Sequence, residues 1–138
     1  MLAASNLLLA ELRRGLGSDL TLARFDLLMQ LLREDGQTSA ELSRRMLVTA
    51  GNLTGLVDRA ERDGLVERRR DPHDRRQTRV HLTPRGSRLA RRAMERHHRL
   101  ADELVSPLNQ KDQEALRRLL RQLREAIEHH ATRQEDAP

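Results

Sequence analysis

Apolar residues recur at helical spacing along almost the whole chain, and the pattern is interrupted once, between Leu65 and Leu82. Residues 65–70 and 78–82 read instead as two strands. The segment 71–77 between them carries no apolar side chain, and Asp71 followed by Pro72 opens a turn. Such a chain is expected to be mainly α, with a single small β-hairpin.

The helices on either side are delimited by their caps. A first amphipathic helix spans about residues 2–16, ending near Gly15 and Gly17. Asp19, Leu20 and Thr21 open a second, with a stripe of Leu22, Phe25, Leu28, Met29 and Leu32, which stops near Asp35 and Gly36. Thr38 or Ser39 caps a short third helix carrying Leu42 and Met46, and Glu41 adds negative charge to its first turn. After a turn at Leu47 and Val48, Thr49 caps a fourth helix to about Asp63. Its buried face is Leu53, Leu56, Val57 and Ala60, and Gly64 sits at the left-handed terminating position. Thr83 and Pro84 read as cap and first residue of a long helix to about Val105, broken by Ser106 and Pro107. A last helix, about 111–130, aligns Leu116, Leu119, Leu120, Leu123 and Ile127. A polar tail after Ala131 is expected to be disordered.

Two short helices separated by a tight turn, followed at once by a charged hairpin, make a winged helix-turn-helix. The expected division is an N-terminal dimerisation helix over 1–19, a DNA-binding domain over 20–83 and C-terminal dimerisation helices over 84–138. The first and last helices are Leu-rich and lie at opposite ends of the chain. A winged domain does not need both to close its core, so burial against a second copy is the economical solution. The alternative is that both fold back on their own subunit.

Composition narrows the function. The net charge is +5, and of 26 Lys and Arg residues only Lys111 is Lys. Guanidinium forks suit phosphate and guanine, although a solvated arginine surface is the competing explanation. Phe25 is the only aromatic residue, so the stacking platforms of single-strand binders are absent. Without cysteine there are no disulfides, thiolate metal sites or thiol redox sensors. No apolar run has the length of a membrane span, and no signal peptide is recognised, so a cytoplasmic protein is expected. There is no nucleophile motif, phosphate-cradling glycine loop or usable metal-ligand spacing; an enzyme is not expected, nor a cofactor or metal. The neighbouring His97 and His98, like His129 and His130, point about 100° apart on a helix and are poor chelating pairs.

The fourth helix turns Thr49, Ala50, Gly51, Asn52, Thr54, Gly55, Asp58 and Arg59 outward. Asn52 has the bidentate chemistry for adenine, and Thr49 and Thr54 suit phosphate or a thymine methyl. Gly51 and Gly55 weaken the helix, which is explained either by close approach to a groove or by a merely mobile element. With Ser39 at the preceding helix start and Arg68, Arg70, Asp74, Arg75 and Arg76 in the hairpin, these form the candidate DNA-binding set. An arginine of the hairpin tip enters the minor groove in this reading; the alternative is a solvated charged turn.

Residues 55–68 and 71–83 resemble the recognition helix and wing of the MarR family of bacterial transcription regulators. The wing signature is Asp, any residue, Arg, five residues and Leu-Thr, here Asp74, Arg76, Leu82 and Thr83, with Gly86 following. The resemblance spans 20–86. It implies a homodimer interlocked through the first, fifth and sixth helices. It also implies binding to a pseudo-palindromic operator, repression as the usual outcome, Arg76 as the minor-groove residue and Asp74 as a wing support. It further implies release by a small lipophilic, often aromatic, anion. The effector cleft is expected among Leu9, Leu12 and Arg13 of the first helix, Phe25 and Met29 of the second, and Met94, His97 and His98 of the fifth. Ordinary core with solvated ends is the competing explanation for that cluster. The rival functional classes are a winged protein-interaction adaptor that has lost DNA binding and a winged-helix RNA binder; six hairpin arginines speak against the adaptor.

Overall fold

The computed structural model describes residues 2–17, 20–74 and 76–135, with side chains described except at 2–5, 8, 9, 12, 128 and 131–135. The order is α1 (Leu2–Leu16), α2 (Leu22–Arg33), β1 (Gln37–Thr38), α3 (Ser39–Met46), α4 (Ala50–Arg62), β2 (Val66–Arg70), β3 (Thr78–Leu82), α5 (Pro84–Val105) and α6 (Gln110–Glu135). The chain divides into two units, 1–100 and 101–138, with the boundary inside α5.

The core of the first unit lies where α2, α3, α4 and the small sheet meet. Leu42 and Met46 of α3 and Leu53, Leu56, Val57 and Ala60 of α4 are buried as their spacing requires. The buried arc of α2 differs from the sequence stripe. Phe25 and Leu28 are buried, but so are Leu27 and Leu31, while Leu22, Met29 and Leu32 are only partly covered. Helix α2 is packed from more than one side, so a single-face stripe underestimates what it buries.

Caps fix the segments. Thr38 and Glu41 form a full capping box, each side chain meeting the other residue's backbone N–H. Thr49 Oγ1 accepts from Asn52 N at 3.3 Å. Gly64 ends α4 at φ 66°, and Leu65 N donates to Ala60 O at 2.9 Å. That i to i−5 bond belongs to the Schellman ending, whose left-handed residue glycine adopts without Cβ strain.

The hairpin is joined by a third strand that the sequence reading did not contain. The sheet order is β1-β3-β2, all antiparallel, with Gln37 opposite Val80, Arg68 opposite Val80 on the other side, and Arg70 opposite Thr78. Gln37 is buried, and its Nε2 donates to Gln30 O at 2.9 Å and Glu34 O at 2.7 Å, covering the carbonyls at the end of α2.

Helix α5 meets the root of the hairpin closely. Thr83 Oγ1 donates to Gly64 O at 2.7 Å and accepts from Gly86 N at 3.0 Å. A Cβ on Gly86 would stand 1.9 Å from Leu65 O, so glycine is required there.

In the second unit, Asn109 Oδ1 accepts from Asp112 N at 2.9 Å and starts α6 at Gln110. Gln113 Nε2 donates to Leu108 O at 2.9 Å. The expected disordered tail is corrected in part, since α6 continues to Glu135. Among the described residues no helix is long and apolar enough to cross a membrane.

Candidate nucleic-acid interface

The N-terminal half of α4 presents a small-residue surface. Thr49, Ala50, Gly51, Asn52 and Thr54 are exposed, and Gly55 is half-buried. A Cβ on Gly51 would have no heavy atom within 4 Å, so nothing inside the protein calls for glycine at that position. At Gly55 a Cβ would lie 3.4 Å from an Arg59 guanidinium nitrogen. Thr54 Oγ1 donates to Ala50 O at 2.9 Å, whereas no described residue engages the Asn52 carboxamide. Ser39 is exposed at the start of α3.

Residues 54, 58 and 61 form one row of α4, spaced by four and three residues. The row begins at exposed Thr54 and ends against the wing. Arg68 of β2 donates through Nη2 to Asp58 Oδ1 at 2.6 Å and through Nη1 to Glu61 Oε2, while Arg68 N donates to Glu61 Oε1 at 2.9 Å. These carboxylates outweigh partial burial and raise the Arg68 pKa further. Asp58 and Arg68, both in the candidate set, are therefore engaged with each other.

The remaining hairpin arginines divide the same way. Arg69 pairs with Glu67. Arg79 Nε donates to Asp71, and its Nη1 donates to Gly36 O at 2.8 Å. Arg70 and Arg76 are exposed with no ion-pair partner among the described residues. Arg75 lies outside the described residues. Asp74 supports the turn through backbone, its Oδ1 accepting from Arg76 N at 3.0 Å.

Asp71, which sequence reasoning noted only as a turn former, is the centre of the wing. It is 5% exposed, and its Oδ1 accepts from His73 N at 2.7 Å and Asp74 N at 3.1 Å. The Arg79 hydrogen bond, then these two N–H groups, bring its pKa down to about 2. The Asp-Pro pair was the available signal.

A second cluster sits at α2 and α5. Phe25, Met29, Met94, His97 and His98 line a cleft of about 570 Å³. The Phe25 and His97 ring centroids are 5.2 Å apart. Burial, then His98, lowers the His97 pKa. The cleft also takes in Asp26, Gln30, Arg33 and Arg91, polar residues absent from the sequence reading. Burial raises the Asp26 pKa against a hydrogen bond from Gln30. Arg13 lines an adjoining cleft with Phe25 and Asp26. The side chains of Leu9 and Leu12 lie outside the described residues.

The MarR family model matches residues 18–77. The chain is 45% identical over 62 residues to the uncharacterized HTH-type transcriptional regulator YsmB of Bacillus subtilis, covering 44% of this chain and 42% of that protein. It thus spans about two-fifths of that relative's length. A MarR family protein from Bacillus stearothermophilus superposes with TM-score 0.75 at 30% identity, covering 91% of this chain and 89% of that one. The PcaV transcriptional regulator from Streptomyces coelicolor, solved in complex with its natural ligand, superposes with TM-score 0.73 at 26% identity, covering 91% and 88%.

Proposed function

This chain belongs to the MarR family of transcriptional regulators, and from that premise we propose that it binds a pseudo-palindromic duplex operator as a homodimer and represses from it. The observation that carries the proposal is the division of polar groups. The side chains of Asn52, Arg70 and Arg76 have no partner among the described residues, and Gly51, next to Asn52 in sequence, has open space around it, while Arg68, Asp58 and Glu61 fasten the wing to α4. In this reading α4 enters the major groove, with Asn52 on a base edge and Thr49, Thr54 and Ser39 toward phosphates. Arg76, with Arg75 beside it in sequence, enters the minor groove.

Residues 20–83 serve as the DNA-binding domain, flanked by dimerisation regions over 1–19 and 84–138. The exposed Leu119, Leu120, Leu123 and Ile127 of α6 support burial against a second copy. The Phe25–His97 cleft takes a small lipophilic anion, with His97 or His98, or Arg13 of the adjoining cleft, toward its charge; PcaV, a structural neighbour, was solved with its natural ligand. The setting is the cytoplasm.

The test is selection of bound duplexes from a genomic pool, followed by gel shifts over a range of salt. A single palindromic sequence should emerge, with affinity falling steeply as salt rises. Equal affinity for every duplex, or none for any, refutes the proposal, and the second result favours the adaptor.

A further inference from the structure

A third cleft, of about 700 Å³, lies at the root of the wing. Leu65, which lines it, leads into β2, and Val66 pairs with Leu82 at this end of the hairpin. Arg70 and Thr78 pair at the other end, beside the tip. Four residue steps of about 3.4 Å separate the two ends. The cleft is thus away from the tip arginine and distinct from the Phe25–His97 cleft.

Its walls are unusually cationic. Arg24 comes from α2, Arg62 from α4, and Arg85, Arg88 and Arg92 from α5, against a single carboxylate, Asp63. Asp63 is taken by Arg24 at 2.5 Å, which leaves the Arg24 side chain 19% exposed and fixed in place. None of Arg62, Arg85, Arg88 and Arg92 is in an ion pair with a described residue. Gathering like charges around one concavity raises the free energy of the folded chain.

Helix polarity adds to the cost at two of the five arginines, whereas Arg62, in the last turn of α4, is favourably placed. Arg24 lies in the first turn of α2 and Arg85 in the first turn of α5, and neither turn contains an acidic residue. The positive end of a helix favours anions and disfavours cations. A multivalent anion among these guanidinia relieves their mutual repulsion and offsets the unfavourable placement of Arg24 and Arg85.

The spacing selects the ligand. Arg85, Arg88 and Arg92 share a face of α5 and extend over about 10 Å of its axis. A single phosphate has too few oxygens to receive forked donors from all of these guanidinia, whereas linked phosphoryl groups supply more acceptor oxygens and more charge in one molecule. Leu65 and Leu89 add an apolar floor. We propose that the wing-root cleft formed by Arg24, Arg62, Arg85, Arg88 and Arg92 binds a small molecule carrying two or more linked phosphoryl groups.

The test is calorimetric titration of the full chain at constant ionic strength with pyrophosphate, ADP, orthophosphate and sulfate. Pyrophosphate or ADP should bind at one site per chain, about tenfold or more tighter than orthophosphate or sulfate. Stronger binding of ADP assigns the apolar floor to an organic body; equal binding assigns the site to the phosphoryl groups alone. Arg88→Ala and Arg92→Ala should each weaken binding about tenfold with unchanged circular dichroism, while Arg76→Ala should bind as the parent does. The proposal is overturned if the α5 variants bind normally, if Arg76→Ala loses the ligand, or if orthophosphate and sulfate match pyrophosphate. DNA binding is not needed for any of these readouts.

Discussion

Arg68 on the first wing strand and Asp58 on α4 are joined at 2.6 Å, ten positions apart in sequence. Their contact is reinforced by Glu61, which takes both the Arg68 guanidinium and its backbone N–H. The wing is therefore set against α4 by groups that face each other.

Removing the joint and removing a free arginine should differ. Arg68→Ala should cost about 1 kcal/mol of stability, lowering the melting temperature by a few degrees, and weaken operator binding indirectly. Arg76→Ala should weaken operator binding with the melting temperature unchanged. Thermal melts paired with gel shifts check both, and a stable Arg68→Ala variant would remove the joint from the account.

Gly51→Leu should separate fold from binding in the opposite direction. Its Cβ enters open space, and leucine favours helix over glycine by about 0.5–1 kcal/mol. The variant should melt at or slightly above the parent temperature yet lose specific duplex binding. Unchanged operator affinity in a gel shift would exclude close approach of α4 to the groove.

Gly86→Ala should be damaging although it adds one methyl. The new Cβ collides with Leu65 O, and relief needs α5 and the wing root to part. We expect a loss of about 1–3 kcal/mol, read as a lower denaturant midpoint.

Asp71 should govern part of the acid limb of stability. Its folded pKa, about 2, lies below its ordinary 3.8. The stabilisation it gives is therefore complete above about pH 4 and is lost as pH falls toward 2. Asp71→Asn should melt lower than the parent at pH 7, and the difference should shrink between pH 4 and pH 2. A difference that does not vary across that interval would mean that the charge of Asp71 does not stabilise the wing.

Leu123→Glu on the exposed α6 row should convert a dimer to monomers at micromolar concentration, as read by light scattering. A persistent dimer would place the interface elsewhere.

The helices and hairpin were legible because their signals are local. Thr49, Gly64 and Thr83 act on backbone groups a few residues away, and the α4 stripe repeats within its own helix. Strand β1 was not legible. Gln37 and Thr38 are too few to alternate, and the bonds that make them a strand belong to β3, some forty positions later. Leu27 and Leu31 were missed because α2 is packed from several sides. The candidate site was legible in residue type but not in commitment. Which arginines are engaged depends on approaches such as Arg79 to Gly36 O, 43 positions apart. Asp71 was visible as a turn former, but its burial depends on Arg79 arriving from the returning strand.

Gly86 and His97 stand on the same helix, about 16 Å apart along its axis. One touches the residue that links α4 to β2, and the other walls the Phe25 cleft. With no side chain at Gly86, the α5 backbone packs directly on the α4–β2 junction at Leu65. Any shift of α5 along this stretch is therefore felt first where α4 passes into β2.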